Sequence, residues 1–119
     1  MSEIKVNSIS GVTYDVQDLT RTGEFYEALG FRRGKAEDDR VTMYVNWFFV
    51  TFVEQESEAP DKGAGVSLYV KVDDVEGFHA GLVSNGMKPE GEPQKQPSGN
   101  REFTLRDPDG YNLVFFQKK

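Results

Sequence analysis

The chain repeats itself, and that limits its fold more than any other feature. Leu68, Val70 and Val72 alternate as Val12, Tyr14 and Val16 do, Asp74-Val75 repeats Asp18-Leu19, and Gly86-Met87 repeats Gly30-Phe31. Each landmark is displaced by 56 residues (68 − 12, 74 − 18 and 86 − 30). Two unrelated strand-helix units would not share one register across three landmarks of different kinds, so the chain reads as a tandem repeat.

From Ser8 to Val16 the period is two, with Val12, Tyr14 and Val16 on one face, which predicts a strand. After Asp18 the spacing changes to Leu19, Thr22, Tyr26 and Leu29, widened by Phe25, and Gly30 stands where a C-cap glycine belongs. That pattern predicts a helix of about three turns. Phe31 to Lys35 and Arg40 to Glu54 read as strands, with the polar AEDDR segment turning between the first two and Val45-Asn46-Trp47 holding the next turn. Glu54 to Gly65, EQESEAPDKGAG, carries Pro60, Gly63 and Gly65 among its charges and reads as a linker or exposed loop. At the far end, Arg101–Arg106 alternates into Asp107-Pro108-Asp109-Gly110, and Tyr111–Gln117 runs back as an apolar strand. Pro at the second turn position, Asp at the first and Gly at the fourth specify a tight hairpin corner. The expected fold class is α+β: two tandem β-α-β-β-β modules forming a curved mixed sheet around a concave cleft. The modules are residues 8–55 and 64–118 of one domain spanning 1–119, with Gly11 to Glu54 overlaying Gly65 to Gln117.

Composition removes several classes of function. With no cysteine there is no disulfide framework, thiolate zinc site or cysteine nucleophile, and with one histidine, His79, any mechanism needing two is excluded. A net charge of −6 argues against a surface that must neutralise phosphates, so no nucleic-acid partner is expected. The charge suits a cationic or neutral small partner, although it also does no more than keep a protein soluble. No apolar run reaches the ~20 residues of a membrane-spanning helix, and MSEIKVNS lacks the apolar core of a secretory signal. The expectation is a cytoplasmic protein with no membrane partner.

RDPDG followed by an apolar strand, together with GVTYDVQDL, FYEALGF and SLYVKVDDV, resembles the glyoxalase/bleomycin-resistance/extradiol-dioxygenase superfamily, the vicinal oxygen chelate (VOC) proteins. In its metal-dependent members a ligand His lies seven residues before the Asp of the V-x-D-L turn, which here is Gly11. The matching position of the second module is Ser67, and the carboxylate ligand, four residues past the turn glycine, falls on Val114. A catalytic metal of this kind needs about three nitrogen or carboxylate ligands, and these residues offer one neutral hydroxyl. His79, between Val75 and Val83 on the second helix, reads as a helix-surface histidine on the outside of the sheet. A displaced set of Asp15, Glu54 and Glu102 is conceivable, but no spacing recommends it. The expectation is therefore no metal and no cofactor.

Strand alternation places Gly11, Thr13 and Asp15 on one face, Ser67, Tyr69 and Lys71 on the equivalent face, and Asn112, Val114 and Phe116 on the last strand. Trp47, Phe48, Phe49 and Phe52 form a run so aromatic that either face of its strand brings a ring inward, although core packing is the plain fate of such rings. The candidate ligand-binding residues are Thr13, Asp15, Trp47, Phe49, Ser67, Tyr69, Asn112, Val114 and Phe116, and no catalytic residue is assigned. Among metal-free branches the pattern is nearest to the bleomycin-resistance proteins, which end in G-x-x-F-x-L-R-D-P-x-G, whereas this chain has one residue more between Gly99 and Phe103. That resemblance implies an acidic homodimer that sequesters a small aromatic or cationic compound, an antibiotic-resistance type of function. The alternative is a lyase, isomerase or dioxygenase of the same superfamily, either with Asp15 or Tyr69 as acid-base group or with metal ligands placed elsewhere. The three missing ligands favour binding.

Overall fold

The computed structural model describes residues 4, 5, 7–55 and 66–119. The EQESEAPDKGAG segment expected to be a linker lies outside the described residues, apart from Glu54 and Gln55. The element order is β1 (Gly11–Val16), α1 (Leu19–Ala28), β2 (Arg32–Ala36), β3 (Arg40–Val45) and β4 (Phe48–Glu54), then β5 (Ser67–Lys71), α2 (Val75–Ser84), β6 (Glu90–Lys95), β7 (Arg101–Arg106) and β8 (Asn112–Gln117). These form two four-stranded mixed sheets, ordered β1-β4-β3-β2 and β5-β8-β7-β6, in two compact units. In each sheet the first and last strands pair in parallel and the other pairs are antiparallel. The tandem β-α-β-β-β architecture is as the repeat implied.

Each helix starts and stops by the same chemistry. Asp18 and Asp74 accept hydrogen bonds at 3.1 Å from the backbone N–H groups of Arg21 and Gly77. These are N-caps, which satisfy N–H groups that the first helical turn leaves bare. At the other end Gly30 and Gly86 adopt φ of 104° and 85°. The N–H groups of Phe31 and Met87 reach back 3.0 Å to the carbonyls of Tyr26 and Leu82, and those of Gly30 and Gly86 to Glu27 and Val83. That double return is a Schellman closure, and it needs a residue without Cβ at the left-handed position.

The helix covers one face of its sheet. In the first module the Tyr26 ring is fully buried, 4.6 Å from Phe52 and 5.0 Å from Phe31 between ring centres, with Tyr14, Val16, Met43 and Val50 around it. In the second, Phe78 of α2 lies 4.7 Å from Phe115, which stacks 5.4 Å from Phe103 above buried Leu105 and Leu113. The closing corner forms as its residues require. The Asp107 carbonyl accepts from Gly110 N–H at 3.0 Å, and its buried carboxylate accepts from the Asp109 and Tyr111 N–H groups at 2.8 and 2.9 Å.

The repeat is less uniform than the sequence landmarks imply. The offset of 56 holds from β1/β5 through α1/α2. Gly11 pairs with Phe49 and Ser67 with Asn112, so the closing strands are offset by 63 (112 − 49). The second module is longer in its connections. The turn from β3 to β4 is Asn46-Trp47 alone, with Asn46 at φ 54°, whereas Asp107 to Tyr111 joins β7 to β8.

Candidate functional site

The face of each sheet turned away from its helix is open, and strand register fixes what stands on it. In the first module Gly11, Phe49, Tyr44 and Arg32 are successive partners across β1, β4, β3 and β2. The row is also in contact along its length. Phe49 covers the Gly11 backbone so closely that a Cβ built there would collide with the ring. Phe49 and Tyr44 meet edge to face at 6.4 Å, and the Arg32 guanidinium lies 5.0 Å above the Tyr44 ring. Tyr44 in turn fills the space above Gly34. The next row is Thr13, Thr51 and Thr42, with the last two hydroxyls 2.9 Å apart. Asp15, Val53 and Arg40 form the third.

The second module presents Ser67, Asn112 and Arg106, then Tyr69, Val114 and Thr104, then Lys71, Phe116 and Glu102. Tyr69 meets Phe116 edge to face at 6.2 Å and is 61 % exposed. Arg106 is neutralised by Glu90 at 2.6 Å. The two open faces thus carry Asp15, Glu90 and Glu102 against Arg32, Arg40, Lys71 and Arg106, so the chain's excess of acid is not gathered there.

Of the residues picked out from the sequence, Thr13, Asp15 and Phe49 stand on the first open face, and Ser67, Tyr69, Asn112, Val114 and Phe116 on the second. Trp47 is in neither strand but at the tip of the β3–β4 hairpin, 65 % exposed and edge to face with Phe48 at 6.1 Å. Phe52 is core. Thr51 was missed because β4, FFVTFVE, is apolar on both faces and hides its alternation, and Arg32, Thr42 and Tyr44 were missed because the outward face of RRGKA and RVTMYV is fixed only once they are paired with β4. The signal was present nonetheless, since a two-residue turn at Asn46-Trp47 forces Tyr44 opposite Phe49 and Thr42 opposite Thr51.

The donor set does not fit a divalent metal. At Gly11, where the resemblance places a ligand, the Phe49 ring takes the space a ligating side chain would need. Val114 is apolar and 4 % exposed. Asp15 and Glu54 cannot share an ion, because Asp15 is on the open face while Glu54 turns to the helix and accepts from Leu19 N–H at 3.1 Å. Among the described residues no three His, Asp or Glu side chains converge. His79 bridges α2 to β6, its Nε2 2.9 Å from the Gly91 carbonyl and its ring edge-on to Phe103 at 4.9 Å. It stands on the helix side of the sheet, as the sequence suggested.

Two depressions lie elsewhere, the first of them reaching the edge of the first open face at Arg40. One of about 300 Å³ beside α1 is walled by Leu19, Glu24, Glu27, Arg33 and Glu37. There the Arg33 guanidinium, at 2.9 Å, holds the Glu27 carboxyl below the usual range and is itself raised. The other, about 280 Å³, is bounded by Lys95, Arg101, Gln117, Lys118 and Lys119. Neither offers an aromatic surface.

No helix of the described residues is long and apolar enough to cross a membrane. A sequence model of the "Glyoxalase/Bleomycin resistance protein/Dioxygenase superfamily" matches residues 8–115. No curated protein matches the chain. Among solved structures, a bleomycin resistance determinant encoded on the transposon Tn5 superimposes with a TM-score of 0.78 at 21% identity, over 95% of this chain and 99% of that one. A lactoylglutathione lyase from Agrobacterium tumefaciens gives a TM-score of 0.77 at 16% identity, over 94% of each chain. A glyoxalase/bleomycin resistance protein/dioxygenase from Alicyclobacillus acidocaldarius gives 0.77 at 16% identity, over 94% of this chain and 92% of that one.

Proposed function

The chain belongs to the glyoxalase/bleomycin resistance protein/dioxygenase superfamily, and from that premise we propose that it is a metal-free small-molecule binding protein that sequesters or carries a small aromatic compound. The observation that carries the reading is the Phe49 ring seated on Gly11, with Tyr44 beside it. Where metal-dependent members of the superfamily need a ligating side chain, this chain lays down an aromatic surface. A ring-lined face with a few polar anchors, here the Thr42–Thr51 hydroxyl pair, is what a planar organic ligand requires. Asp15 and Tyr69, the two acid-base candidates, are both exposed to water rather than enclosed with a second polar group in a cleft. A structural neighbour named as a bleomycin resistance determinant makes sequestration of a drug-like compound a natural form of this function. The remaining ligand-facing candidates are those on the second open face, Ser67, Tyr69, Asn112, Val114 and Phe116, and the working protein is a homodimer.

Elemental analysis of the purified protein tests the metal-free part. The expected result is less than a tenth of an equivalent of any transition metal and a melting temperature unmoved by a chelator, because loss of a tightly bound metal would lower stability by several kcal/mol. One equivalent of zinc, nickel, iron or manganese would overturn the reading. A thermal-shift screen of aromatic antibiotics and metabolites tests the binding part. Trp47 lies on the hairpin that carries Tyr44 and Phe49, so its fluorescence should change with a compound that binds the first open face.

A further inference from the structure

Four arginines are neutralised in the ordinary way: Arg33 by Glu27, Arg40 by Asp39, Arg101 by Glu76 and Arg106 by Glu90. Arg32 is held differently. Its guanidinium lies 5.0 Å from the centre of the Tyr44 ring and donates one long bond, 3.4 Å, to the Asn46 carbonyl, with no carboxylate partner among the described residues. In a chain with 20 acidic residues to 14 basic ones, an arginine held over a ring with no carboxylate beside it leaves an uncompensated positive charge on this face. The contact holds the cation above the Tyr44 ring. Most of its five N–H donors are left at the edge, in the fork that matches a carboxylate.

Resting on the binding reading above, we infer that Arg32 receives an anionic group of the ligand while Phe49 receives its ring, so that the ligand is an aromatic carboxylic acid with a short acid arm. The geometry sets the arm. The Arg32 guanidinium is 5.0 Å from the Tyr44 ring centre and that ring is 6.4 Å from Phe49, which puts guanidinium and Phe49 ring no more than about 11 Å apart. A carboxylate bonded edge-on to a guanidinium takes up about 4 Å of that, and the ~7 Å or less between carboxyl and ring corresponds to an arm of two or three carbons. The Thr42 and Thr51 hydroxyls, in the adjacent row, are placed to bond polar substituents of the ring. Asp15, the acidic group of this face, stands on β1, at the opposite edge of the sheet from Arg32. A cationic ligand, which the net charge of −6 by itself would favour, would meet Arg32 unshielded on this face.

The test is a titration of the intact protein with three probes of one shape, hydrocinnamate, its neutral amide, and the cationic phenylpropylamine, followed by calorimetry and by amide resonances of β3 and β4. Hydrocinnamate should bind at least tenfold tighter than the amide, the amine should bind no tighter than the amide, and salt should weaken the acid alone. Arg32→Gln should bring the acid down to the affinity of the amide without moving the amide's own value. Arg32→Lys, which keeps the charge and loses the fork, should restore part of the difference. Arg32 is exposed, so these variants should melt with the wild type. Equal binding of acid and amide would overturn the role of Arg32 while leaving the binding function intact. A preference for the acid that survives Arg32→Gln would assign it to another cation and overturn the inference as well. If no probe shifts β3 or β4 resonances, the inference and the proposed aromatic face both fall.

Discussion

Glycine at position 11 gives the Phe49 ring a floor to rest on. Adding one methyl group there forces either the ring or the β1 backbone aside, and overpacking of this kind typically costs about 1–3 kcal/mol. Gly11→Ala should therefore lower the urea midpoint and, by tilting Phe49, weaken any aromatic ligand. Gly81 is the control. It lies inside α2 with nothing within 4 Å of where its Cβ would go, so Gly81→Ala should stabilise by up to ~1 kcal/mol through helix propensity. Unchanged stability in Gly11→Ala would mean that the ring is not held as described. The sequence identified Gly11 as a position lacking a ligand, but it could not say what fills the space, because that depends on which face of β4 turns outward. In FFVTFVE apolar residues occupy both faces, and pairing with β1 decides that Phe49 goes out and Phe52 in.

The elements are joined by a device that the sequence did not advertise. The last residue of each closing strand sends its side chain to the first N–H of its module's helix: Glu54 Oε2 accepts from Leu19 at 3.1 Å, and Gln117 Oε1 from Val75 at 2.9 Å. Helix start and sheet end are thus bonded in both modules, through residues 35 and 42 positions away. The drift in offset from 56 to 63 conceals that equivalence in the sequence. Strand, helix and C-cap were legible because local chemistry writes them. The connections that follow obey local turn preferences of different lengths, and the alignment is lost there. A carboxylate suits the positive end of a helix better than an amide does, so Gln117→Glu should gain about 0.3–1 kcal/mol at neutral pH. Glu54→Ala should lose about 1 kcal/mol, as removal of a capping acceptor usually does. Denaturant titration of both variants checks the pair, and a Gln117→Glu protein less stable than the wild type would speak against the cap.

For the molecule as a whole, the open faces and exposed residues such as Ile9, Trp47, Val66 and Tyr69 leave apolar surface in water that a partner copy would cover. Light scattering at micromolar concentration should give twice the 13.4 kDa chain mass, and a monomer would remove the homodimer from the proposal. The parallel pairing of first and last strands has a mechanical consequence. In each module the chain enters at one end of a ladder and leaves at the other, along adjacent strands, β1 beside β4 and β5 beside β8. Tension applied through the ends of a module therefore loads every rung of that ladder together, in shear, rather than peeling rungs one at a time. Such a protein should resist stretching far better than its thermal stability suggests, because forced unfolding follows the height of the unfolding barrier and not the equilibrium free energy.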